Sequence, residues 1–138
     1  MIMGKLHVIE GTTGAGKSTL MIEKLLEMQD KHVVVFCGDD AIVHHLRRIG
    51  RGELTERKIG LHHHVQIQRA TSLEGILEKF FRWGFVPSTI MIDSILIEED
   101  HLMFFRVLAE LAKCDIWVTH TINSASGRKI LREYEYVF

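Results

Sequence analysis

A glycine-rich stretch that ends in lysine and serine is the clearest chemical feature of the chain. It has the pattern G-x-x-x-x-G-K-[ST], which is typical of a phosphate-binding loop. Glycines allow backbone N–H groups to turn inward around a phosphate, because they have no β-carbon. We expect the lysine to contact the β- and γ-phosphates and the serine hydroxyl to bind Mg²⁺. The stretch therefore predicts a site for ATP and Mg²⁺, formed by Gly11, Thr12, Thr13, Gly14, Ala15, Gly16, Lys17, Ser18 and Thr19.

The residues on either side of this phosphate loop indicate a strand before it and a helix after it. The apolar run Leu6–Ile9 predicts a first strand over about Lys5 to Glu10. Apolar residues then recur with helical spacing, which predicts a first helix over about Lys17 to Gln29. Phosphate loops require this strand-to-helix setting, and the helix N-terminus adds partial positive charge there.

Aspartates follow two further predicted strands. In a parallel sheet the C-terminal ends of these strands open on the same crevice as the phosphate loop. The run Thr89–Ser94 contains Asp93 after four residues suited to a strand. We expect the Asp93 carboxylate to hold Mg²⁺ through water, together with Ser18. Asp39 and Asp40 follow the β-branched run His32–Cys37. Either could orient the water that attacks the γ-phosphate, with Asp40 as the first choice and Asp39 next, or both could cap the following helix.

The order of predicted elements indicates the fold class. Strand and helix patterns alternate along the 138 residues, which predicts a single domain over residues 1–138. We expect an α/β three-layer sandwich with a mainly parallel sheet. The sequence also predicts an amphipathic helix with Thr71 or Ser72 as its N-cap. Its apolar residues are Leu73, Ile76, Leu77, Phe80 and Phe81.

Composition narrows the setting in which the protein works. The formal net charge of −1 argues against binding nucleic acid by bulk attraction. Apolar runs are only as long as strands, so the sequence predicts no membrane span and a cytoplasmic protein. We expect Cys37 and Cys114 to be buried, reduced thiols, because they are far apart in sequence and adjoin predicted strands.

Three weaker features leave alternatives open. Segment 44–69 is basic and could bind single-stranded nucleic acid or a protein partner, although a merely solvated face explains it slightly better. His44-His45 and His62-His63-His64 could bind a metal, but adjacent histidines without further ligands are more often solvated. Glu98 and Glu99 are more readily explained by a helix N-terminus than by catalysis.

Beyond these motifs, the layout resembles the RecA-like P-loop ATPase core of recombinases, DnaB-type helicases and KaiC-like proteins. Asp93-Ser94 resembles the end of their Walker B strand, and Asp39-Asp40 occupies the place of their catalytic acid. His120 and Thr121 stand where that family has a polar residue that contacts the γ-phosphate. The resemblance implies a Mg²⁺-dependent ATPase linked to nucleic-acid transactions, and a homo-oligomer is compatible with it.

The chain also departs from this family, and two other classes remain open. The catalytic acid is aspartate, whereas that family usually has glutamate. The glutamine that usually contacts the γ-phosphate is replaced by His120 or Thr121, and the DNA-binding loop is reduced to Ser124–Gly127. An ATPase with these changes would hydrolyse ATP slowly. A nucleotide-gated binding module with little turnover is one of the two other classes. A nucleoside or nucleotide kinase with a thymidine-kinase-like layout is the other alternative, although two cysteines cannot supply the zinc site common in thymidine kinases. Strand order distinguishes the enzymes: we predict Ile116–Thr119 between Leu6–Ile9 and Ile90–Asp93.

Overall fold

A computed structural model describes residues 4–28, 32–55, 65–82 and 87–137. Strands and helices alternate along most of this part of the chain, and the predicted α/β class is confirmed. The strands are β1 (Leu6–Gly11), β2 (Val33–Cys37), β3 (Val65–Arg69), β4 (Thr89–Asp93), β5 (Asp115–Thr121) and β6 (Leu131–Tyr136). The helices are α1 (Lys17–Glu27), α2 (Ala41–Arg48), α3 (Leu73–Arg82) and α4 (Glu99–Ala112), and a short 3₁₀ helix covers Gly52–Thr55.

The strands form one six-stranded sheet in the order β3-β2-β4-β5-β1-β6. All neighbouring pairs are parallel except β1 and β6, which are antiparallel. β5 therefore lies between the strand before the phosphate loop and the strand that ends in Asp93. This is the predicted strand order, and it excludes direct pairing of β1 with β4 within the described sheet.

Burial on both faces of the sheet accounts for the continuous apolar runs of β2 and β4, whose residues are all buried. On one face, residues of α1 and α2 such as Met21, Leu25 and Leu46 pack against the sheet. On the other face, α3 and α4 contribute Ile76, Phe105 and other buried residues. Two helical layers thus enclose the sheet, in agreement with the predicted sandwich.

Cys37 and Cys114 are both buried and unpaired, as predicted. Burial raises the pKa of each thiol to about 12, so both remain protonated at neutral pH. None of the helices in the described residues combines the length and apolarity that crossing a membrane requires.

The ends of two helices follow their sequence signals, with one correction. Ser72 caps α3, because its Oγ accepts a hydrogen bond from the Gly75 N–H at 3.2 Å. At α4, the Glu98 N–H donates to His101 Nδ1 at 3.0 Å, and Glu98 is the N-cap residue. The sequence places Phe81 on the apolar face of α3, and this prediction is wrong. Phe80 packs against the core, whereas Phe81 is 69% exposed and contacts Phe80 edge to face.

A close backbone contact joins β2 to the segment after β4 and so shapes the edge of the sheet where the aspartates lie. The Gly38 N–H donates to the Asp93 carbonyl at 2.9 Å. A β-carbon at Gly38 would lie 2.0 Å from the Ser94 carbonyl oxygen, which is far inside van der Waals contact. Only glycine fits here without movement of the backbone.

We therefore expect Gly38→Ala to lower the free energy of unfolding by about 1–3 kcal/mol, because overpacking displaces backbone. Gly52→Ala is the matched control, since its nearest contact would be the Arg47 side chain at 3.4 Å. Urea unfolding of both variants measures the difference. Equal midpoints for the two variants would contradict the close approach.

Candidate functional site

The phosphate loop is a compact turn between β1 and α1. Gly14 and Gly16 have φ angles of 76° and 100°, in the left-handed region that favours glycine. The Lys17 ammonium donates to the Thr12 carbonyl at 2.9 Å, so the lysine lies across the loop. Partial burial lowers the pKa of Lys17, and the nearby Asp93 charge opposes this shift.

Hydrogen bonds from two directions hold the loop at Thr12. The Thr12 N–H donates to the Ile130 carbonyl at 3.0 Å, and the Ile130 N–H donates to Thr12 Oγ1 at 3.0 Å. Ile130 directly precedes β6, which pairs with β1. The phosphate loop is thus fixed to the antiparallel edge strand.

The Asp93 carboxylate is the centre of the site. It is 1% exposed and accepts hydrogen bonds from three hydroxyl groups. Ser18 donates to Oδ2 at 2.8 Å, and Thr119 donates to Oδ1 at 2.9 Å. Ser94 also donates to Oδ2, at 3.2 Å. Burial raises the pKa of Asp93, the three hydrogen bonds oppose the shift, and the Asp39 charge adds to it.

The strand order explains why these hydroxyls reach one carboxylate. Thr119 lies near the end of β5, which is next to β4, and its side chain faces the same layer as Asp93. The Ser94 N–H donates to Thr119 Oγ1 at 3.2 Å, so this hydroxyl links both residues. Ser94 has a φ angle of 58°, which is uncommon for a residue other than glycine. Sequence reasoning did not select Thr119, although its polar side chain after Ile116-Trp117-Val118 was the available signal.

A cavity of about 610 Å³ opens over this network. The phosphate loop contributes the predicted residues Thr13, Gly14, Gly16, Lys17, Ser18 and Thr19 to its lining. The other lining residues are Asp39, Asp93, Ser94, Ile95, Leu96, Thr119 and Thr121. Gly11, Thr12 and Ala15 do not line it. The hydroxyl of Ser18 and the carboxylate of Asp93 are hard oxygen donors 2.8 Å apart, a donor set that suits Mg²⁺.

The two candidate bases occupy different positions. Asp39 lines the cavity, and its Oδ1 accepts a hydrogen bond from the Ala41 N–H at 3.0 Å. Asp40 lies outside the cavity lining and forms an exposed ion pair with Arg69 at 2.5 Å. Asp39 therefore accepts a hydrogen bond at the start of α2 and also lines the cavity, whereas Asp40 is the N-cap residue of α2 without a side-chain cap hydrogen bond.

The two residues expected near the γ-phosphate also separate. Thr121 lines the cavity, whereas His120 does not. Successive strand residues point to opposite faces, and His120 lies beside Glu10 on the α4 side, with Nδ1 3.7 Å from Glu10 Oε1. Arg132 on β6 forms an ion pair with the same buried Glu10.

Where the weaker sequence features fall within the described residues, they do not line the cavity. In segment 44–69, Arg47 and Arg48 are exposed at the end of α2, and Arg51 pairs with Glu53 at 2.6 Å. Residues 56–64, including His62-His63-His64, lie outside the described residues. Glu98 and Glu99 are exposed at the start of α4 and do not line the cavity.

Comparisons with known proteins leave the site to be interpreted on its geometry. No protein-family model matches the chain, and no curated protein matches it significantly.

The raised pKa of Asp93 predicts a pH-dependent effect of Asp93→Asn. The folded protein keeps the Asp93 proton to higher pH than the unfolded chain does, so stability falls as pH rises from the ordinary pKa of 3.8 through the raised pKa. Asparagine cannot ionise, so the variant should gain free energy of unfolding relative to wild type across this window.

Urea unfolding of nucleotide-free protein at several pH values measures this gain. Asp40→Asn is the control, because Asp40 is exposed. A wild-type-to-Asp93→Asn difference that does not change with pH would contradict the assigned burial of the charge.

Proposed function

We propose that the chain binds ATP with Mg²⁺ in this cavity and hydrolyses it slowly, as a P-loop ATPase with RecA-like strand order. The carrying observation is the hydrogen bond between Ser18 and Asp93, which are 75 residues apart. Ser18 belongs to the phosphate-loop motif and Asp93 to the run Thr89–Ser94. Each motif separately predicts its own residue as one that holds Mg²⁺. Their contact at the wall of one cavity supports a common site for Mg²⁺ and the triphosphate.

The phosphate loop supplies the binding contacts in this proposal. Its backbone N–H groups and the N-terminus of α1 attract the phosphate oxygens. Lys17 exchanges its hydrogen bond with Thr12 for contacts to the β- and γ-phosphates. Ser18, and Asp93 through water, would hold Mg²⁺, which would supply positive charge to stabilise the negative charge of the phosphates.

Asp39 is the general base that we propose, in preference to Asp40. It lines the same cavity as the phosphate loop, whereas Asp40 pairs with Arg69 and does not line the cavity. A carboxylate has lone pairs on both oxygens, so the bond from the Ala41 N–H leaves Asp39 able to accept one from water. Thr121 also lines the cavity, and we propose that its hydroxyl donates to the γ-phosphate. His120 then has no direct contact with the nucleotide.

Lys17→Ala should weaken binding of Mg–ATP by about 10- to 100-fold, because it removes a charge-assisted hydrogen bond worth about 1.5–3 kcal/mol. Titration calorimetry measures this loss. Lys5→Ala is the control, because Lys5 is exposed just before β1 and pairs with Glu135. If Lys17→Ala bound ATP with unchanged affinity, the assignment of this loop as the phosphate-binding site would be wrong.

Asp39→Asn should lower ATP hydrolysis by about 100-fold or more while ATP affinity persists, since general bases contribute about 10²–10⁴-fold. Asp40→Asn should hydrolyse ATP at nearly the parental rate, because it loses only an exposed ion pair. Released phosphate measures both rates, with and without single-stranded DNA. If Asp39→Asn keeps full activity, another group activates the water.

The products of the wild-type reaction separate this function from its alternatives. Phosphate released from ATP alone supports an ATPase. Transfer of the γ-phosphate to an added nucleoside or nucleotide would indicate a kinase instead. Binding of ATP without either product would indicate a nucleotide-gated module.

A further inference from the structure

Helix α4 exposes an apolar strip to solvent. Met103, Phe104, Val107 and Leu111 are 53%, 44%, 42% and 77% exposed, and we call these four residues the α4 outer face. The opposite side of the helix, with Leu102, Phe105 and Ala109, is buried against the sheet. α4 is therefore apolar on two sides, whereas a surface helix usually has a polar outer side.

The α4 outer face has the spacing of a helix-pairing surface. Phe104, Val107 and Leu111 are separated by three and four residues, which aligns them along one side of the helix, and Met103 adjoins them. A contiguous apolar strip of this kind marks an interaction site more often than scattered exposed side chains do.

Charged residues along one flank of this face indicate the partner. In chain order they are Glu99, Arg106, Glu110 and Lys113, so acidic and basic residues alternate. Arg106 and Glu110 form an ion pair within the helix at 3.1 Å. If a second α4 packed antiparallel about Val107, Arg106 would lie close to Glu110 of the other copy, and Glu99 close to Lys113. In a parallel two-fold pair these flanks would lie on opposite sides of the interface, so the charges would not meet across it.

We propose that two copies of this chain form a symmetric dimer through antiparallel packing of their α4 outer faces. Val107 lies at the two-fold axis, opposite its own copy, and Met103 packs against Leu111 of the other chain. Such an interface is self-complementary, as two-fold symmetry requires. Four apolar side chains are far fewer than the about 20 residues that each partner gives to a standard interface. The dimer is therefore weak and depends on protein concentration.

This inference is independent of the proposed nucleotide function. None of the residues that line the cavity belongs to α4. Dimer formation therefore needs no nucleotide, and its test is carried out without ATP.

Sedimentation equilibrium over a series of protein concentrations tests the dimer. Val107→Glu and Val107→Lys each place like charges at the two-fold axis and should weaken dimerisation by at least about tenfold. An equimolar mixture of the two variants should recover dimers, because glutamate then faces lysine. Phe81→Glu is the matched control, since Phe81 is an exposed apolar residue on α3. Circular dichroism verifies that each variant is folded.

The outcomes divide clearly. A wild-type dimer that is lost in both Val107 variants, retained in Phe81→Glu and recovered in the mixture supports the α4 interface. A wild-type protein that is monomeric at every concentration overturns it, and so does a dimer that persists in both Val107 variants. A mixture that stays monomeric excludes the antiparallel contact of Val107 with its own copy.

Discussion

The buried carboxylate of Asp93 is the group on which the arrangement of the cavity depends. A charge removed from water destabilises the fold unless hydrogen bonds replace those of the solvent. Here the replacements come from three separate parts of the chain: Ser18 at the start of α1, Thr119 near the end of β5, and Ser94. Each donor is therefore positioned by the need to satisfy one acceptor. The phosphate loop, β5 and β4 are joined at this single point.

The backbone around Asp93 is adapted to the same requirement. Ser94 turns into the left-handed region, which costs of the order of 1–3 kcal/mol in a residue other than glycine. This turn brings its N–H to Thr119 Oγ1 and its carbonyl against Gly38. Because Gly38 has no side chain, the segment after β2 can approach closely enough for Asp39 to face the cavity. Local strain at Ser94 and the small size of Gly38 are thus two parts of one geometry.

The sequence was sufficient for the fold and insufficient for the direction of individual side chains. Continuous apolar runs such as Val33–Cys37 predict central parallel strands because both faces of those strands are buried. The position of β5 came from the resemblance to RecA-like proteins, since strand order leaves no local pattern. The choices between Asp39 and Asp40 and between His120 and Thr121 depend on which face each residue points to. That direction is set by tertiary packing, so neighbouring residues of similar chemistry could not be separated in advance.

The position of β1 has a consequence for the order in which the protein assembles. Both neighbours of β1, β5 and β6, are synthesised more than 100 residues after it, as is Ile130, which lies 118 residues from Thr12. During translation, the phosphate loop therefore emerges long before any strand that can hold it. Contacts of such long sequence separation also slow folding, because the intervening chain must lose entropy before they form. A nascent chain that ends before β5 has the complete phosphate-loop motif in its sequence but lacks both strands that pair with β1.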